Sequence, residues 1–323
     1  VNAPACPAAD AGEAADRGPA AGSGEAGPRS RRFPAHRQEL LRGLAAVALS
    51  PPPGCAPAAR GLGLPVPSAA EHTAVFVLGA PAHAAIHLGP EGMLGGEALD
   101  RVAGFWRVLG LTPPADADHL GALLLLLAEL GDAVARARSD RTAQALRRAR
   151  SALVREHLWS WAPGYLSAVS RLDAPALAPW ARLTLAALAR EARQADPAPG
   201  LPLALRCAPP PPGPGLTRGQ LLGALLAPVR SGIVLTPGDL RAGARAAGTG
   251  CRAGERRFTL GAMLDQEPAA VLGWLSRQAS DWSGRHRRQP AVPGADPRRW
   301  WASRAAATAG ALEAMRARYK VSL

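Results

Sequence analysis

The sequence predicts an all-α protein, a helical bundle followed by a small helical C-terminal unit. Three observations predict it. Aromatic residues make up 4% of the chain while the AVILMFWYC class reaches 48%, so the core is built mainly from Leu, Ala and Val. Ala and Leu favour helices, and the β-branched and aromatic residues that favour strands are scarce. Gly and Pro are abundant (35 and 32) but cluster between periodic segments, where they mark turns and linkers. Within those segments apolar residues recur at three-to-four spacing, with no strand-like alternation.

Residues 1–34 are rich in Ala, Gly and Pro with the basic cluster Arg29, Arg31 and Arg32, and read as a disordered leader. The chain opens on Val1, and its true start is expected elsewhere. A first helix runs from His36 to Leu49 and is stopped by Pro51, Pro52 and Pro53. After a Pro/Gly stretch, Ser68 can N-cap a helix through Val77, with Glu71 at the capping-box position. Leu99, Val102, Ala103, Trp106 and Leu109 form one apolar face of a helix ending at Gly110. A loop at Thr112–Pro114 leads to Asp116 or Asp118 as a cap, and a strongly apolar helix follows from His119 to about Arg138. Its buried face is expected to hold Leu123, Leu124, Leu127 and Leu130, with Leu126 either buried or lining a groove.

Thr142 to about Ser170 reads as one long helix or two, interrupted at Pro163, and Pro179 to Gln194 as another. Asp196 to Gly215, with Pro209 to Pro212, is the clearest linker. Helices Arg218–Leu226, Pro237–Ala247, Arg257–Leu264 and Glu267 to about Arg285 make the C-terminal unit. The expected division is therefore a leader (1–34), a helical domain (35–195), a linker (196–216), a C-terminal unit (217–285), and a second linker with a terminal helix, Arg298 to Arg318 (286–323).

The net charge of +13 points first to nucleic acid or an anionic membrane. Only Lys320 among the 38 basic residues is lysine, which looks like codon bias rather than a selected patch. The charge is also uneven. Residues 61–135 carry −6 and residues 217–323 carry +10, so one acidic block offers a place for a basic partner. Cys6, Cys55, Cys207 and Cys251 lie far apart with no CxxC pair, which favours a reducing compartment over a disulfide framework or thiolate zinc site. The longest apolar run, Leu120 to Ala128, is too short for a bilayer, which needs about 20 residues, and no signal-peptide pattern opens the chain. The expected location is the cytoplasm.

Candidate chemistry is thin, and no catalytic residue, metal or cofactor is expected. His83, His87 and Glu91 stand four apart, as helical metal ligands do, but Gly89 and Pro90 would end the helix before Glu91 and HExxH is absent. Asp118 beside His119 invites an acid/base reading, yet no nucleophile stands in a motif to use it. Asp118 as a helix cap with His119 in the first turn is the favoured structural reading. No phosphate-binding glycine loop occurs. Arg256-Arg257, Arg287-Arg288 and Arg298-Arg299-Trp300-Trp301 offer arginine and stacking surfaces, which motivates the alternative of a nucleic-acid-associated helical regulator. Without a recognisable nucleic-acid-binding motif that alternative ranks second. A hydrolase using His83, His87 and Asp118 ranks below it.

Three segments together resemble the TorD/DmsD/NarJ-type assembly chaperones, the redox enzyme maturation proteins. They are Glu71 to Gly79 with Phe76, Asp116-Ala-Asp118-His119-Leu120 followed by Glu129-Leu130, and Glu156-His157-Leu158-Trp159-Ser-Trp161-Ala-Pro163. Their order and their spacing of about 40 residues carry the specificity of the match; it covers residues 36–195. Ala117 stands where the family often has Pro, and His83 to His87 replaces an aromatic-containing segment, which puts partner specificity in question. The resemblance implies a TorD-like helical bundle that binds the twin-arginine leader peptide or N-terminal region of a molybdopterin oxidoreductase catalytic subunit before export. The peptide-binding residues it implies are Glu71, Phe76, Asp116, Asp118, His119, Leu120, His157 and Trp161. A leader with paired arginines and an apolar stretch needs carboxylates beside an apolar groove, and both occur within residues 61–135.

Overall fold

Helix α1 (Ala35–Leu49) lies along the strongly apolar α6 (Leu120–Arg136), and the two form the centre of the larger core. Between them in sequence come α2 (Ala56–Gly61), α3 (Ala69–His72), α4 (Ala84–Leu88) and α5 (Gly96–Val108). After α6 follow α7 (Asp140–Ala152), α8 (Ala162–Val169) and α9 (Leu177–Gln194). The remainder is α10 (Leu203–Arg206), α11 (Arg218–Leu226), α12 (Pro228–Ser231), α13 (Pro237–Ala247), α14 (Arg256–Gln266), α15 (Pro268–Arg288) and α16 (Pro297–Val321). This computed structural model describes residues 35–197, 199–251 and 254–321. The expected leader, with Cys6, Arg29, Arg31 and Arg32, lies outside them. Among the described residues there is no strand, and the fold is all-α.

Local chemistry sets several helix starts. Ser139 accepts from the Thr142 amide at the start of α7, and Thr217 with Gln220 and Thr236 with Asp239 form complete capping boxes on α11 and α13. Two stretches depart from simple helices. α3 passes into a π-helical turn at Thr73–Gly79, and α7 into another at Leu153–Leu158. The second opens the break expected at Pro163 slightly early: the chain turns at Trp159–Trp161, and Pro163 sits in the first turn of α8, where its missing N–H costs nothing.

The apolar face of α6 is Leu123, Leu124, Leu127 and Leu130, all buried, as periodicity predicts. Leu126 is buried as well, and the leucine left at the surface is Leu125. A second core joins α11, α13, α14, α15 and α16 around Leu225, Leu260, Met263, Trp274 and Trp282. α15 and α16 pack along their lengths, and α13 approaches α15 where Gly243 faces Trp274. A Cβ on Gly243 would lie 2.5 Å from that ring, so only glycine permits the approach.

The described residues form one compact unit. Trp301 of α16 donates its indole N–H to the Ser160 carbonyl at 2.9 Å. Within residues 196–216, Pro202, Ala204, Leu205 and Pro212 are buried, and Leu205 packs with Val229 and Trp301. No described helix is long and apolar enough to cross a membrane.

Candidate functional site

The Asp116–Leu120 segment forms the entry to α6 and runs antiparallel to the entry of α4. The Leu120 amide donates to the Ala82 carbonyl at 2.7 Å, and the Ala84 amide donates to the Asp118 carbonyl at 3.1 Å. An isolated β-bridge joins His83 and His119. Asp118 does not cap α6. Its carboxylate is buried and accepts the Ala85 amide at 2.8 Å, so it caps α4 across the chain. The cap of α6 is His119, whose Nδ1 accepts the Gly121 amide at 3.1 Å. Sequence order alone assigns a carboxylate to the helix that follows it; here another helix start lies closer in space.

That bond requires an unprotonated Nδ1. Burial, together with His83 and His72, lowers the His119 pKa to about 4 against a weaker opposing pull from Asp116. Its ring meets the His83 ring edge-on at 4.8 Å. His83 in turn places Nε2 3.8 Å from the Asp116 carboxylate, which is 77% exposed. Asp116 is thus the open carboxylate of the segment, while Leu120 is fully buried beneath it.

Short α4 links this segment to the third motif. Asp118 holds its start, and near its end His87 stacks on Trp161 at 5.1 Å and meets Tyr165 edge-on. Burial lowers the His87 pKa to about 3, with Arg256 and His83 adding to the effect. Trp161 is buried and donates to the His157 carbonyl at 2.7 Å; the His157 ring packs on Phe105, and burial lowers its pKa to about 4.

The first motif behaves differently from its sequence signature. Ser68 caps α3 as expected. The Glu71 carboxylate, expected at the capping-box position, instead accepts the Ala176 and Leu177 amides at the start of α9, at 2.8 and 3.1 Å. Phe76 is buried edge-on against Trp180 at 5.2 Å. The π-helical turn that buries Phe76 leaves Val77 and Leu78 exposed.

Six of the eight residues singled out from sequence are therefore buried, and Glu71 is engaged with backbone. Much of the acidic block is also satisfied internally: Glu97 pairs with Arg101, and Glu129 and Asp132 with Arg42. Asp116, Glu91 and Asp100 form no ion pair with arginine among the described residues. At the start of α6 an apolar strip reaches the surface. Leu49 at the end of α1 touches Gly121, and Leu125 lies one turn further along α6; they are 42% and 37% exposed. Leu49 and Leu125 escape sequence reading because each sits in an apolar run whose exposed member only packing selects.

His83, His87 and Asp118 do not assemble a hydrolytic site, since Asp118 faces the Ala85 amide and His87 faces Trp161. No group of three or more His, Cys, Asp or Glu among the described residues is arranged to hold a metal ion. The arginine–tryptophan stretch proposed for nucleic acid is largely engaged: Arg298 pairs with Asp296, Arg304 covers Trp300, and Trp301 is buried.

Residues 38–167 match the family model described as nitrate reductase delta subunit, and all three motif segments fall inside the match. No curated protein and no solved structure matches the chain.

Proposed function

With residues 38–167 matching the nitrate reductase delta subunit family, a family of molybdoenzyme assembly chaperones and not of catalysts, we propose that this chain binds the leader peptide of its client. The ligand is the twin-arginine signal peptide or basic N-terminal region of a molybdopterin oxidoreductase catalytic subunit. Binding takes place in the cytoplasm, and holds the client until cofactor insertion is complete. The observation that carries this reading is the exposed Asp116 carboxylate at the entry of α6, the helix whose first turns carry the exposed Leu125 and, at the buried Gly121, meet the exposed Leu49. A basic, apolar leader needs that pairing: a carboxylate for a guanidinium, and apolar surface for the stretch that follows it.

Asp118, His119 and Leu120 act in this reading by holding the Asp116 loop against α4. Glu71 and Phe76 fix their segment against α9, His157 packs on α5, and Trp161 anchors α4. The test is calorimetry with the client's leader peptide. Asp116→Asn is expected to weaken binding about twofold to fivefold, the range of an exposed ion pair, and more at low salt than at high. Leu125→Gln removes apolar contact and is expected to weaken binding at every salt concentration. Unchanged affinity in both variants overturns the assignment of this face.

A further inference from the structure

Outside the family-matched segment, the C-terminal helices enclose a cavity of about 190 Å3 between α13 and the start of α14, lined by Pro237, Leu240, Arg241, Cys251, Arg256 and Thr259. Two guanidinium groups line this cavity, and neither has a carboxylate in contact. Arg256 is half-buried and donates Nη1 to the Leu235 carbonyl at 3.0 Å. Burial pushes its pKa below the ordinary arginine value, with Glu255 opposing only through space. Arg241 is exposed and forms no ion pair among the described residues. The nearest carboxylate in sequence, Asp239, is held by Thr236 and Arg171.

A half-buried cation without a paired carboxylate is costly. That cost falls when an anion sits against it. Backbone adds to the same field, because the Glu255 side chain makes no cap bond at the start of α14. Volume then limits the ligand. A cavity of about 190 Å3 has room for a compact polyatomic anion and is too small for a folded acidic partner.

We propose that the cavity between Arg241 and Arg256 is a binding site for a phosphate or diphosphate group, with the two guanidiniums as its charged ligands. Arg256 holds the inner face and Arg241 closes the outer one, each through charge-assisted hydrogen bonds to phosphate oxygens.

Cys251 lines the cavity and is exposed, while Cys207 is exposed away from it, so one labelling experiment on the full chain carries its own control. Iodoacetamide modification of both thiols is followed by peptide mass spectrometry at constant ionic strength, with orthophosphate, diphosphate or ADP added. Diphosphate is expected to slow labelling of Cys251 saturably and to leave Cys207 unchanged. ADP protecting at lower concentration than free diphosphate identifies a phosphate carried on a larger molecule; equal or weaker protection identifies the free anion. Arg241→Gln, an exposed substitution whose folding is checked by circular dichroism, is expected to weaken protection by about tenfold, the loss of one charge-assisted contact. The proposal fails if no phosphate compound protects Cys251, if Cys207 slows equally, or if Arg241→Gln keeps full protection.

Discussion

Buried imidazoles are the residues through which pH acts on this protein. His87 has its pKa lowered to about 3, and His119, His157 and His286 have theirs lowered to about 4, in each case first of all by burial. An unfolded histidine takes up a proton near pH 6.5, whereas these four stay neutral in the fold until pH falls much further. The unfolded state then binds more protons, so stability is fully present above pH 6.5 and declines as pH falls toward 4. Each histidine contributes a slope of about 1.4 kcal/mol per pH unit across that window. Urea denaturation at pH 7 and pH 5 should show a markedly lower midpoint at pH 5, and His119→Asn, whose amide oxygen can still cap α6, should flatten the dependence. An equal midpoint at both pH values would contradict the burial of these rings. Leu127, fully buried on α6, sets the other scale: Leu127→Ala should cost about 2–5 kcal/mol by cavity formation, read from the same urea curves.

At the scale of elements, one carboxylate ties three helices together. Glu191 of α9 is buried and pairs with both Arg37 of α1 and Arg150 of α7. Burial lowers the Arg150 pKa while Glu191 opposes the shift, so the carboxylate offsets the cost of placing two guanidiniums inside. Glu191→Gln should destabilise the protein by about 3–5 kcal/mol, because two buried cations lose that charge partner. Thermal unfolding checks it, and a melting temperature within error of the parent would show that the cluster contributes little. α4 has only five residues, too few to be stable alone. It persists because Asp118 caps it from another segment and His87 anchors it on Trp161. The three motif segments lie about 40 residues apart in sequence, and α4 joins two of them while α9, through Glu71, receives the first.

At the scale of the whole molecule, a division at residues 196–216 remains our proposal for how the chain is organised. Asp196, Pro197, Pro199 and Gly200 are exposed, whereas Leu205 is anchored against Val229 and Trp301. Limited proteolysis should cut first at 196–200, giving pieces of about 160 residues (from residue 35) and about 120 residues. Because α16 reaches back to Ser160, the nicked pieces should co-elute on size exclusion and separate only in denaturant. A first cut inside Leu120–Ala135 would overturn the proposed boundary.

The sequence by itself determined the helical class, the main helices, the inward face of α6 and the family resemblance. These depend on periodicity, propensity and order, which are local properties of the chain. It placed Ser68 and the Leu-rich face correctly for the same reason. Tertiary structure alone decided what each polar side chain does. Asp118 caps α4 and not α6, Glu71 caps α9 and does not close its own box, and Leu125 is exposed while Leu126 is buried. A carboxylate binds whichever unsatisfied amide lies nearest in space, and in an apolar helix the exposed residue is whichever one no neighbour covers. Both are settled by packing between segments distant in sequence, which is why the motif residues were legible as a set and their individual tasks were not.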